Sequence, residues 1–239
     1  PFLDISGLFS TYGLYKYVTN NVIHSNNFDD FKADLFVVAT QLDHSRKCIF
    51  SKYNYPNPSH DSTASYVTNI PLADAVAASM SVPPFYCPYP IERPNSKKVD
   101  YYIDGEIRET LSTHVSVDNH CEYIISSWTH TPYHFQDEIG SLVNYGIPAI
   151  SIQAIYLMIQ KKIVEARSRR STAKDLLDTI QGYMESNNIS YIHQEKIISI
   201  ISRKLNFDPK IKLIDIYPDH DDHQTFFKSS FSLDPKISS

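Results

Sequence analysis

The sequence predicts an α/β sandwich in which a largely parallel sheet is flanked by helices. Ala33 to Leu42 is a near-continuous apolar run with β-branched content, the pattern of a strand buried on both faces. Glu122 to Trp128 repeats that pattern further along the chain. Helical stretches alternate with these strands, and such alternation is what builds a parallel sheet covered by helices.

Each element follows from local composition. Asp4 to Gly7 is turn-like, and Leu8, Leu14, Tyr15 and Val18 then form a helical stripe ending near Val22. Phe28 to Phe31 reads as a short helix with Asn27 as its N-cap. After the Ala33–Leu42 strand, Cys48 to Phe50 is a returning strand, and Tyr53 to Thr63 is a loop by its Pro and Asn content. Leu72 to Met80 is a short helix, since Ala73, Ala75, Ala77 and Ala78 favour helix and allow close packing. Pro83 and Pro84 stop it.

A polar loop leads to the strand Val99–Ile103, which ends in Asp104 followed by Gly105, a glycine expected to permit a sharp turn that aims the acid. Ile107 to Val117 reads as a loop with a helical turn near Val115, and Thr129 to Phe135 as a loop after the Glu122–Trp128 strand. Ile147 to Arg170 has a wide apolar face that includes Ile150, Leu157, Ile159 and Ile163, with cations toward its C-terminal end, where the helix dipole favours them. Helices over Thr172–Ser186 and Tyr191–Leu205 and a strand over Lys212–Tyr217 complete the chain before an irregular tail. The expected division is residues 1–145 as the α/β part and 146–239 as a helical and late-strand region packed on the same domain.

Composition narrows the function classes. The net charge of −5 gives no electrostatic footprint for nucleic acid. Cys48, Cys87 and Cys121 are too few and too scattered for a disulfide framework, which points to a reducing, cytoplasmic setting. No uninterrupted apolar run approaches the ~20 residues that span a bilayer, and no charged-then-apolar leader is visible. The chain opens on Pro1, and the reading is of an N-terminally truncated domain. Only six glycines occur, with no Gly-x-Ser-x-Gly and no glycine-rich loop.

The densest motif runs from Pro71 to Gly105. It contains Ala75-Val-Ala-Ala-Ser-Met-Ser-Val-Pro83, then Phe85 and Pro88, then Tyr102-Ile-Asp-Gly105. This resembles the patatin-like phospholipases, whose pattern is Ala-x-x-Ala-Ser-x-x-x-Pro, Phe-x-x-Pro and a strand ending in Asp-Gly. Glu106 departs from that pattern, where many members have glycine or alanine. The resemblance implies a patatin-like three-layer sandwich and a serine acyl hydrolase that degrades phospholipids or related acyl esters. It implies that Asp104 is the base of a Ser–Asp dyad, with Asp100 and Glu106 as neighbouring acids. The serine and the oxyanion loop would lie upstream of Pro1, so this chain alone would be inactive. Neither metal nor organic cofactor is implied, and membrane contact would be peripheral.

Other features keep two readings each. Pro83, Pro84, Phe85 and Tyr86 either line an acyl-binding groove or pack in the core. Arg167, Arg169 and Arg170 either meet lipid headgroups or decorate a solvated helix end. His114, His120, His130 and His134, and the run Asp219–His223, have metal-ligand chemistry, but the plainer reading is exposed loop histidines. Ser79 and Ser81 are read as structural. The rival to an enzyme is a non-catalytic binding or scaffold module of the same fold.

Overall fold

The computed structural model describes residues 6–56, 61–93, 96–108, 110–129 and 131–219. The chain divides into two compact units, Pro1–Asp118 and Asn119–Ser239. The division falls ahead of the 145/146 boundary read from sequence, because the strand formed by Tyr123–Ser127 pairs with the last strand of the chain.

The first unit is built on five strands: β1 Phe36–Gln41, β2 Arg46–Ser51, β3 Ala64–Val67, β4 Tyr89–Glu92 and β5 Val99–Asp104. Their order across the sheet is β3-β2-β1-β5-β4. The β1/β2, β1/β5 and β4/β5 pairs are antiparallel, and only β2/β3 is parallel. The expected largely parallel sheet is therefore mixed. Connection length is the physical reason. Leu42 to Ser45 link β1 to β2, and so short a link can make only a hairpin, whereas parallel neighbours need a crossover of a dozen or more residues. Strands β3 and β4 have no counterpart in the elements read from sequence, because both are short and β4 contains Pro90.

Helix α1 (Tyr12–Tyr17) precedes the sheet, and α2 (Leu72–Ser79) covers one of its faces. Ala73, Ala75, Ala77 and Ala78 are fully buried, since small side chains let the α2 backbone approach the strands closely. Pro71 at the α2 N-cap offers no side-chain acceptor. Asn26 supplies it from a distant segment: its backbone carbonyl accepts from Leu72 at 2.9 Å and its Oδ1 from Ala73 at 2.7 Å. Phe28, Phe50, Tyr89 and Tyr102 fill the space under α2. On the other face Ile49 and Tyr66 pack with Val115 of α3 (Thr113–Asp118), so helices lie on both sides of the sheet.

In the second unit β6 (Tyr123–Ser127) runs parallel to β7 (Lys212–Ile216). Helix α4 spans Gly146–Ser186 without a break, where the sequence reading placed one near Ser171. Neither Gly nor Pro occurs between Ala149 and Gln181, and Ala173 and Leu177 bury as the turns continue. A 3₁₀ turn over Leu142–Tyr145 leads into α4, and Leu142–Ser186 together is long and apolar enough, by length and composition, to cross a membrane. A search for uninterrupted apolar runs misses it because Asn144, Gln153 and Ser151 dilute the stretch. Yet no charged residue occurs between Glu138 and Lys161. Helix α5 (Tyr191–Leu205) ends on Asn206 in the left-handed region.

Candidate active site

Strand β5 delivers Asp104 to the end of an inner strand, opposite Ala39 of β1. The Asp104 amide donates to the Ser81 carbonyl at 3.0 Å, which ties the strand end to the exit of α2. Its Oδ1 accepts from the Glu106 amide at 2.7 Å and caps the 3₁₀ turn Gly105–Ile107. Burial pushes the Asp104 carboxyl up to about 6, and the Glu106 amide offsets only part of that rise. Such a carboxyl is ionised at neutral pH yet more basic than an ordinary aspartate, which suits proton abstraction.

The neighbouring acids are committed elsewhere. Asp100 takes a two-pronged contact from Arg93, Nε and Nη2 each at 2.6 Å, and Arg93 holds its carboxyl below the usual carboxylate range. Glu106 Oε1 accepts from the Leu111 amide at 3.0 Å, bracing the loop that follows.

Gly105 serves a different purpose from the one its sequence context suggests. A Cβ there would lie 2.5 Å from the Val38 carbonyl oxygen of β1. The glycine is required by close backbone approach, not by the turn. Ser79 Oγ donates to the same Val38 carbonyl at 2.8 Å. Ser81 is fully buried; its hydroxyl donates to the Ala77 carbonyl at 2.9 Å and lies 3.1 Å from Thr11 Oγ1. Both serines are thus fastened to their surroundings.

After α2 the chain passes the cis Pro83–Pro84 bond and pairs with the N-terminal segment. Phe9 donates to the Phe85 carbonyl at 2.7 Å, and Cys87 donates to the Phe9 carbonyl at 2.8 Å. Pro83 and Phe85 are half-buried, while Pro84 and Tyr86 are exposed. The Tyr86 and Phe9 rings lie 6.2 Å apart in tilted contact, so these residues form an apolar surface strip and not a piece of core. Through Ser81 this strip begins beside Asp104. The N-terminal contribution escapes a reading by sequence, although Gly7 is a signal of it: a Cβ at Gly7 would sit 2.4 Å from the Cys87 amide nitrogen. A separate hollow of the first unit, lined by His44, Arg46, Cys48, Asp100 and Tyr102, does not include Asp104.

In the second unit Arg167 takes neither of the roles its sequence context offers. Its Nε donates to Asp215 Oδ2 at 2.8 Å, and its guanidinium lies over the stacked rings of Trp128 and Tyr217. Arg170 approaches the same carboxylate at 3.9 Å, which leaves Arg169 as the exposed member of the trio. Among the described residues, no three His, Cys, Asp or Glu side chains gather as a metal site. His130, His220 and His223 lie outside the described residues.

The first unit is thus a mixed α/β sandwich that presents one raised-pKa carboxylate at the end of an inner strand. Residues 1–116 match the family model of the patatin-like phospholipases, a family of lipid acyl hydrolases. Comparison with curated proteins finds no match.

Proposed function

We propose that the protein is a serine-dependent acyl hydrolase of phospholipids or related acyl esters, in which Asp104 is the base of a Ser–Asp dyad. The observation that carries this reading is the Asp104 carboxyl, set at a strand end by the Ser81 and Glu106 backbone and raised to about 6 by burial. In this reading the nucleophile belongs to a Gly-x-Ser-x-Gly elbow, a motif the 239 residues do not contain, and not to Ser79 or Ser81, whose hydroxyls donate to backbone carbonyls. In the reaction Asp104 takes the serine hydroxyl proton, the serine oxygen attacks the ester carbonyl, and the alcohol departs with that proton. Water then attacks the acyl-enzyme, with Asp104 as base again, and releases the fatty acid. The Pro83–Tyr86 strip with Phe9 supplies apolar surface for an acyl chain. No cofactor takes part. The enzyme meets its substrate at a membrane surface on the cytoplasmic side.

The test is fatty acid release from phosphatidylcholine and from a soluble acyl ester by the naturally expressed protein. Replacing Asp104 with Asn is expected to lower kcat by at least about 100-fold, the scale of a lost general base. A variant that keeps wild-type turnover overturns the assignment. A folded wild-type protein without any esterase activity favours the binding-module reading instead.

A further inference from the structure

Over residues 147–158 helix α4 carries apolar side chains on two opposite sides, with Ser151 and Gln153 between them. One side packs inward: Ala149, Ile152, Ile159 and Ile163 are buried. Gln153 on the same helix grips the Tyr133 backbone twice, accepting from its amide at 2.8 Å and donating to its carbonyl at 2.9 Å. The opposite side carries Ile147 at 79% exposure, Ile150 at 47%, Leu157 at 49% and Met158 at 56%, in line with Val143 on the preceding turn at 72%. At about 100° per residue these positions fall within roughly 100° of the helix circumference, so they form one stripe about 22 Å long. A surface helix of a soluble protein shows water a polar face, and a continuous apolar outer stripe marks a surface that meets a partner.

We infer that this stripe docks the protein on an anionic phospholipid surface, with α4 lying in the interface plane. Charge selects the occupant. The chain as a whole is acidic at −5, yet on the turns that continue the stripe Lys161, Lys162 and Arg169 stand against Glu165, which lies 3.8 Å from Lys161; Arg167, Arg170 and Lys174 fall on the opposite side of the helix, where the two arginines meet Asp215. Lys161 is 78% exposed, and Arg169 is exposed as well. An apolar stripe followed by cations is the arrangement that places side chains in the acyl boundary and ammonium or guanidinium groups among lipid phosphates. In this arrangement the helix lies on the membrane, because Gln153 and Arg167 fasten it to its own unit.

The choice of lipid as occupant leans on the acyl-hydrolase reading, but the two are tested by separate assays. The experiment is flotation of the full chain with vesicles of equal parts phosphatidylglycerol and phosphatidylcholine, beside pure phosphatidylcholine vesicles. The chain is expected to float with the anionic vesicles and to be released by raised salt. The triple variant Ile147→Gln, Leu157→Gln, Met158→Gln alters only exposed side chains and is expected to lower partitioning by roughly 100-fold or more. Lys161→Gln with Arg169→Gln is expected to lower it by roughly fivefold per charge and to flatten the salt dependence. Wild-type chain that stays unbound, or a triple variant that floats like wild type, overturns the inference. So does a lipid-free dimer, seen by sedimentation, that the triple variant dissociates, because the stripe's occupant is then a second copy. A folded, naturally expressed protein without esterase activity, with vesicle binding intact, speaks against the hydrolase reading alone.

Discussion

Replacing Asp104 with Asn is expected to stabilise the chain while it removes the proposed base, and pH reveals the cause. Asn keeps an oxygen for the Glu106 amide and discards the buried charge. The carboxyl moves from 3.8 in its ordinary state to about 6 in the fold, so the folded chain binds more protons than the unfolded chain between those values. Stability contributed by the wild-type residue therefore falls as pH rises through that window. A shift of roughly two units corresponds to about 3 kcal/mol at pH 8, and partial exposure reduces this toward about 2. At pH 4.5 the same linkage leaves only about a third of the penalty. Urea unfolding followed by far-UV circular dichroism, on both proteins at both pH values, isolates the difference because every other titrating group is shared. The gain of the variant over wild type is expected to be larger at pH 8 by about 1–2 kcal/mol. A gain that does not change with pH, or one that is larger at pH 4.5, refutes the reasoning.

Three further perturbations test neighbouring parts of the fold. Gly105→Ala drives a Cβ into the Val38 carbonyl and is expected to cost about 2–4 kcal/mol, read as a lowered Tm. Burial opposes the charge on Asp61, but hydrogen bonds from Thr63 and the buried Lys47 ammonium 3.1 Å away outweigh it and hold the carboxyl well below its usual range. Asp61→Asn removes this carboxylate from Lys47 and is expected to lower the Tm near neutral pH, with the difference from wild type shrinking as acid protonates Asp61. Arg167→Lys keeps the charge and loses the planar stack on Trp128 and Tyr217, so it is expected to fail to restore the Tm lost in Arg167→Ala, with quenching of the Trp128 fluorescence altered in both.

Much of the first unit is legible in the sequence because its signals are local. The apolar run at Ala33–Leu42, the alanines of α2 and the Asn27 cap of the Phe28–Asp30 turn each specify their own conformation; Asn27 Oδ1 accepts from the Asp29 amide at 3.1 Å. Strand direction is not local. A buried strand reads the same beside a parallel or an antiparallel neighbour, and only the short Leu42–Ser45 link carries the hairpin signal. The role of Gly105 is likewise invisible in one dimension, since the atom it must avoid belongs to Val38. Asp104 stands out by its strand and its glycine, but its raised pKa depends on burial that composition does not report. The uncharged stretch before Lys161 is plain in the sequence once charge is scanned in place of continuous apolarity. What its outer stripe leaves exposed is visible only after the helix is built.

The most direct test of the dyad is fluorophosphonate labelling of this chain and of the naturally expressed protein, read by intact mass. The dyad reading predicts a single adduct on the natural protein, on a serine outside these 239 residues, with labelling abolished or strongly slowed by Asp104→Asn, and no adduct on this chain. A folded natural protein that takes no adduct, or one labelled equally fast without the Asp104 carboxylate, contradicts it.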